Sequence, residues 1–267
     1  MTPDQISQTF RRARTEARPL PSYPGDRVPD TLAQAYAIQQ ASIDAWPAPV
    51  AGWKVAAIQD KWRGPYPDER LAGPVFAGAL QLAGADVVDV PVIPGGYAAA
   101  EAEFALLAGD DFPLNTRFAS TAELQPFVAA VHAAIELAGS PLPNLSALGP
   151  GAMISDFGNN TGLVIGPALP GFFARTPDAW QAETEVNGVP AGSGHAGCIP
   201  GGPLAAMLFL ANSLVSRGGT LRPGQWVSTG ASTGVHPVAP GDRVAVRFDG
   251  KPAIALRITA AGPSATA

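Results

Sequence analysis

The chain has 267 residues, 46% of them hydrophobic and 15% charged. That is the length of one enzyme-sized domain, or of one with a small appendage. The charge content is well below the usual quarter or so, and predicts a large core and a buried subunit interface. Seventeen Lys and Arg against 22 Asp and Glu give a net charge of −5, with no basic stripe to neutralise phosphates, which argues against a nucleic-acid partner.

Thirty Gly and 28 Pro, spread without a period, imply many turns and argue against a helix bundle or a low-complexity chain. A single cysteine, Cys198, excludes an internal disulfide and a multi-Cys zinc site, and fits a reducing cytoplasm. The polar start, MTPDQISQTFRRARTEARPLPSYPG, lacks the apolar segment of a secretion signal. The longest helix-like apolar run, Leu204 to Val215, is too short to span a bilayer. A cytoplasmic protein with no membrane partner is expected.

In chain order, residues 3–17 read as a helix with a charged face of Arg11, Arg12, Arg14 and Glu16, ended by the Pro-rich RPLPSYPGDRVPD. TLAQAYAIQQASIDAW predicts a second helix, stopped by Pro47 and Pro49, and VAGWKVAA a strand carrying Lys54. Residues 59–74, QDKWRGPYPDERLAGP, are the most polar and turn-rich internal segment and read as a mobile loop. YAAAEAEFALLAG predicts a strand, and TAELQPFVAAVHAA a helix leading into IELAG. GLVIGPAL follows the turn SDFGNN, and Asn187-Gly188 predicts a hairpin turn. GPLAAMLFLANSLVSRGG reads as a helix with Pro near its start and Gly at its end. WVSTGAST, DRVAVRFDG and KPAIALRIT complete the sheet, the last two joined at Asp249-Gly250. The expected division is a helical segment with a candidate lid over 1–75, then a β-rich catalytic core over 76–267.

Two familiar strings fail on context. Gly192-Ser-Gly194-His-Ala-Gly197 matches a dinucleotide fingerprint, but a hairpin precedes it and no acid occurs between Glu185 and Asp242 to hold a ribose. Gly230-Ala-Ser232-Thr-Gly234 matches a nucleophile elbow, but a strand follows it and His236 precedes every later acid. His132 reads as structural on a helix face. His195 and His236 lie in loops, and His195 with Cys198 lacks a third group to orient a Cys–His nucleophile.

Glu101 and Glu103 stand two apart within an otherwise apolar strand, so both carboxylates share one face and Ala102 and Phe104 the other. Glu136 is equally isolated among apolar residues. Spacing alone is compatible with two solvated acids and a helix-end acid. Buried together, like charges about 4 Å apart at an effective dielectric near 20 repel by roughly 4 kcal/mol, and three would require protons or a cation. Carboxylate oxygens suit Mg²⁺ or Mn²⁺ rather than zinc. Lys54, flanked by Trp53 and Val55, would bring such a site to neutrality. A buried lysine shifts its pKa down unless paired.

Taken together, the chain resembles the hydratase and decarboxylase branch of the fumarylacetoacetate hydrolase superfamily, the 2-keto-4-pentenoate hydratase-like proteins. The resemblance runs in order through AYAIQ (35–39), GWKV (52–55), EAEFALL (101–107), AIELAGS (134–140), SDFGNNTGLVIG (155–166), GGPLAAMLFLANSL and TGASTGVHPVAPGD (229–242). It implies an α+β fold, a mixed β-roll or sandwich core with flanking helices, and a homo-oligomer. It implies Mg²⁺ or Mn²⁺ held by Glu101, Glu103 and Glu136, with Lys54 and Asp156 at the active site. Ser232 and Thr233 match a Gly-rich loop for the substrate carboxylate. Asn159 and Asn160 match only loosely and carry no assigned role. No histidine precedes His132, which weighs against hydrolysis of an acylpyruvate C–C bond. The expected activity is a metal-dependent hydratase that converts a small 2-hydroxydienoate into a 4-hydroxy-2-oxo acid. The alternatives are a 2-oxo acid decarboxylase, an acylpyruvate-type hydrolase and a non-catalytic homologue.

Overall fold

A computed structural model describes residues 1–263. Helix α1 (Pro3–Thr15) opens on a capping box. The Thr2 hydroxyl accepts from the Gln5 amide, and the Gln5 side chain accepts from the Thr2 amide. Helix α2 (Leu32–Ala45) is capped by Thr31. Ile6 and Phe10 of α1 pack with Ile38 of α2 onto Leu142, Leu145 and Ala152, so the N-terminal helices cover one end of the sheet.

Thirteen strands follow among the described residues: β1 (Val50–Ala57), β2 (Arg70–Phe76), β3 (Leu80–Leu82), β4 (Val88–Val92), β5 (Tyr97–Ala108), β6 (Val128–Ser140), β7 (Asn160–Ala168), β8 (Gln181–Val186), β9 (Val189–His195), β10 (Trp226–Ser228), β11 (His236–Pro237), β12 (Arg243–Phe248) and β13 (Lys251–Ala260). Short helices α3 (Thr121–Leu124), α4 (Leu145–Leu148) and α5 (Pro150–Ser155) punctuate them, and α6 (Gly202–Ser216) is the long later helix.

Two mixed sheets result. The larger runs β2-β1-β10-β5-β6-β7-β3, with β11 also on β5, and the smaller runs β4-β13-β12-β8-β9. Their inner faces share one core: Ala102, Phe104, Ile135 and Leu137 meet Val244, Val246, Phe248 and Leu256, with Met207 and Leu210 of α6. The rings of Phe104 and Phe248 lie 5.1 Å apart, edge to face. This is the expected α+β sandwich with flanking helices. Its large sheet takes β1 and β2 from the first 76 residues. Among the described residues no helix is long and apolar enough to cross a membrane.

Two expectations need correction. The helix expected over 121–134 is a single turn, α3, followed by the 13-residue strand β6. A 3-10 turn over Gln125–Phe127, with Pro126 inside it, leads from α3 into the strand, and the alanines that favoured helix are overridden by pairing on both sides. Strand β5 pairs β6 from Tyr97 opposite Ser140 to Ala108 opposite Val128, and β7 covers the other edge of β6. His132 is therefore on a strand, its Nδ1 2.8 Å from the Gly166 carbonyl oxygen.

The loop expected over 59–74 stops earlier, because residues 70–76 form the buried strand β2 against β1. Gly73 and Pro74 read as a turn but sit in an edge strand, where a missing amide donor is tolerated. At Gly73 a Cβ would stand 2.0 Å from the Phe157 carbonyl oxygen, so only glycine admits that approach. Urea unfolding should show Gly73→Ala destabilised by about 1–3 kcal/mol. Gly78→Ala, whose Cβ would meet open space, should stay within about 0.5 kcal/mol of wild type.

Candidate metal centre

Strand register brings the three acids together. Glu101 lies directly opposite Glu136 in the β5–β6 ladder, and Glu103 is two residues further along the same face of β5. All three are buried, and oxygens of the three carboxylates lie within 4.8 Å of one another. Directly opposed like charges destabilise a sheet, so this arrangement needs compensation.

Part of it comes from Lys54 on β1. Its ammonium lies 3.3 Å from Glu136 Oε1 and donates to Asn159 Oδ1 at 2.9 Å. Burial alone would push the Lys54 ammonium down, but Glu136, Glu101 and Glu103 together outweigh it, and its pKa is raised. The pairing thus decides the direction left conditional in the sequence. Lys54 pairs in register with Ser228 of β10, whose hydroxyl donates to Glu103 Oε2. The Gly230 amide donates to the same oxygen at 2.8 Å, and Asn160 Nδ2 donates to Glu136 Oε1 at 3.1 Å.

Compensation remains incomplete. Among the described residues, Glu103 Oε1 and Glu136 Oε2 are buried without a hydrogen-bond partner, each an omission of about 1–3 kcal/mol. Burial and then Glu136 raise the Glu101 carboxyl to about 7, against an opposing pull from Lys54. Burial, Glu136 and Glu101 raise Glu103 well above the carboxylate range. An all-carboxylate donor set with two free oxygens fits a hard divalent cation. Three carboxylates, one ammonium and one such ion sum to zero.

The centre opens into a cavity of about 470 Å³, walled by Lys54, Glu101, Tyr97, Asn159, Arg70 and the segment Thr229–Ala231. Arg70, within the stretch read as a loop, is a buried guanidinium that donates to the Pro200 carbonyl and, among the described residues, has only the loose ion pair with Glu69, at 3.8 Å. Burial lowers its pKa.

Three residues singled out in the sequence stand elsewhere. Asp156 does not line this cavity: its Oδ1 pairs with Arg14 Nε at 2.6 Å and its Oδ2 accepts from Ser140 at 2.6 Å. Ser232 and Thr233 are likewise turned away. The Ser232 amide and hydroxyl both donate to the Ala102 carbonyl, and the Thr233 hydroxyl meets those of Thr184 and, at 3.3 Å, the His236 ring. They fasten the loop across β5, and Thr229, Gly230 and Ala231 line the cavity instead.

The declined glycine motifs have the same explanation. Cβ atoms at Gly192 and Gly194 would meet the carbonyl oxygens of Thr233 at 2.3 Å and Ser232 at 1.9 Å, so these glycines let β9 press against that loop. Arg70 falls within the stretch read as a lid; the residues to which sequence reasoning gave no role are Asn159, Asn160, Ser228, Tyr97 and Arg14. The SDFGNN string held a signal for the two asparagines only.

No family model matches the chain. Among solved structures, 4-oxalocrotonate decarboxylase from Pseudomonas putida G7, complexed with magnesium and adipate, superposes with a TM-score of 0.79 over 96% of this chain and 97% of that one, at 20% identity. The chain has the fumarylacetoacetate hydrolase fold. Fumarylpyruvate hydrolase from Pseudomonas aeruginosa, in complex with Mn²⁺ and pyruvate, shares this fold at a TM-score of 0.57 and 18% identity, over 81% of this chain and 93% of that one. In sequence, 4-oxalocrotonate decarboxylase of Pseudomonas sp. (strain CF600) is 36% identical over 73 residues, which is 27% of this chain and 28% of that relative. These matches bear out the resemblance read from the motifs.

The proton on Glu101 has a measurable consequence. Native Glu101 holds it to about 7, whereas an ordinary glutamate releases it near 4.5. Between those values the native state binds more protons than the unfolded one, so stability falls as pH rises through that window. Relative to Glu101→Gln, the metal-free wild type should lose on the order of 3 kcal/mol between about pH 5 and 8. Saturating Mg²⁺ should abolish the loss, because the cation replaces the proton. Melting temperatures of both proteins across that range check this.

Proposed function

We propose that the chain is a divalent-metal-dependent lyase acting on a small 2-oxo acid, and that its reaction is decarboxylation of an unsaturated 2-oxo dicarboxylate of the 4-oxalocrotonate type. The observation that carries the lyase reading is the buried triad of Glu101, Glu103 and Glu136, with two unpartnered oxygens, next to the Lys54 ammonium. These three carboxylates are the residues that would hold Mg²⁺ or Mn²⁺. The ion would supply a positive centre that polarises the 2-oxo group and the adjacent carboxylate.

The chain's own residues account for the rest. Lys54, charged and fixed by Asn159 and Glu136, stabilises negative charge on the former carbonyl oxygen and supplies its proton from Nζ. In decarboxylation the bond to the distal carboxylate breaks, and its electron pair moves through the conjugated double bond onto that oxygen. The products are CO₂ and a 2-hydroxydienoate. Arg70 in the cavity wall, with one carbonyl and one loose acidic partner, would orient the distal carboxylate by charge-assisted hydrogen bonds. Apolar neighbours in that wall, Ile58, Leu71 and Ile199, disfavour the charge that leaves as CO₂. The 36% identical stretch of the Pseudomonas decarboxylase supports the same choice.

Hydration of a 2-hydroxydienoate, the activity expected from the motifs, is the second reading. It uses the same triad and lysine on the compound that decarboxylation releases. A homo-oligomer remains our proposal for the assembly, from the low charge content.

Incubation of the Mg²⁺-loaded protein with 4-oxalocrotonate should release CO₂. Glu103→Gln should cut the rate at least about 10²-fold, as expected for loss of a group acting in the transition state. Arg70→Met should raise KM for the dicarboxylate by roughly 10- to 100-fold, the worth of a lost charged hydrogen bond. Turnover of 2-hydroxypenta-2,4-dienoate alone would favour hydration, and turnover of neither compound would sink the lyase reading.

A further inference from the structure

The sequence assigns Arg14 to the charged face of α1, yet its side chain is only 8% exposed. Its guanidinium uses every edge inside the protein. Nε donates to Asp156 Oδ1 at 2.6 Å, and Nη1 to the Asn160 carbonyl at 2.9 Å. Nη2 donates to the Gly139 carbonyl at 2.9 Å and to the Asp156 carbonyl at 3.3 Å, while the Arg14 Cζ lies 4.9 Å from the centre of the Phe157 ring. All these partners flank one short segment, residues 156–160, and the end of β6.

That segment is unusual in its backbone. Phe157, Gly158 and Asn159 have φ of 56°, 64° and 57°, three successive residues in the left-handed region, which glycine adopts freely and asparagine tolerates but which strains the phenylalanine. Such a turn persists only when its surroundings hold it. Its last residue and the next one bear on the centre: Asn159 accepts from Lys54, and Asn160 donates to Glu136. The fork of Arg14 fastens the turn at Asp156 before it and at Asn160 after it, and ties both to Gly139, three residues beyond Glu136.

We infer that Arg14 is a positioning residue of the metal centre, acting from the N-terminal helix through the 156–160 turn to set the side chains of Asn159 and Asn160 and, through them, Lys54 and Glu136. The inference rests on the metal reading given above. Asp156 belongs to this device as the acidic partner of Arg14, one layer behind the carboxylates. A lysine cannot substitute for the arginine, because its three donors radiate from one point and cannot span Asp156, Asn160 and Gly139 together.

Two measurements on the full chain test this, amide hydrogen exchange over residues 156–162 without metal and Mn²⁺ affinity by electron paramagnetic resonance. Arg14→Lys and Arg14→Met are compared with Phe112→Ala, which lowers stability within the Phe112–Phe118–Phe127 cluster and belongs to neither turn nor centre. Both Arg14 variants should speed exchange of the turn at least about tenfold and weaken Mn²⁺ binding by roughly 3- to 10-fold, below the roughly 10- to 100-fold range for groups that touch a ligand directly, because Arg14 acts through Asn159 and Asn160. Phe112→Ala should change neither. Should Arg14→Met not fold, Arg14→Lys carries the same comparison. Unchanged exchange overturns the clamp, and faster exchange with unchanged Mn²⁺ affinity overturns its role toward the carboxylates. A wild-type protein that binds no Mn²⁺ overturns the metal reading itself, with the clamp still judged by exchange.

Discussion

Two glutamates facing each other across an antiparallel ladder, with a third on the same face, set the constraint to which the rest of this structure answers. Glu101 and Glu136 are opposite partners of β5 and β6, and with Glu103 they are buried. In a medium that screens poorly, three such charges require protons, cations or both. Their neighbours answer part of that demand. Lys54 brings a positive charge, Ser228, Gly230 and Asn160 bring donors, and Glu101 and Glu103 keep protons above the ordinary carboxylate range. Two oxygens remain unanswered, which gives the centre its capacity for a divalent ion.

The fold is arranged so that this cost falls on one side of one sheet. The opposite face of β5 and β6 carries Ala102, Phe104, Ile135 and Leu137 into the sandwich core with the smaller sheet. Alternation along the strands separates the apolar and acidic faces residue by residue, so strong packing on one side holds an electrostatically unfavourable cluster in place on the other. The N-terminal helices bring Arg14 and Asp156 together behind that cluster. Charged groups far apart in the chain thereby form two neighbouring layers, one that faces the cavity and one that braces it.

The parts of the site that could be read in advance share a property: they are acids or a lysine in apolar surroundings within a few residues of each other or of a glycine motif. Glu101, Glu103, Glu136 and Lys54 were legible for that reason. Asp156, Ser232 and Thr233 were given site roles only through the family resemblance, and their polar atoms are spent on Arg14, Ser140, Ala102 and Thr184. Strand β2 was hidden because Gly73 and Pro74 mimic a turn, and β6 because its alanines mimic a helix. In both cases pairing with a distant strand outweighed the local preference.

The alternation that puts two glutamates on one face and the hairpin turns at Asn187-Gly188 and Asp249-Gly250 were set by the sequence alone. These depend on neighbours within a few positions, where sterics and side-chain period suffice. Which acids meet, which serine or threonine is spent on backbone, and where Arg14 points were decided only by the tertiary structure. Those outcomes depend on strand register and on contacts between residues more than a hundred positions apart, and no local preference encodes them.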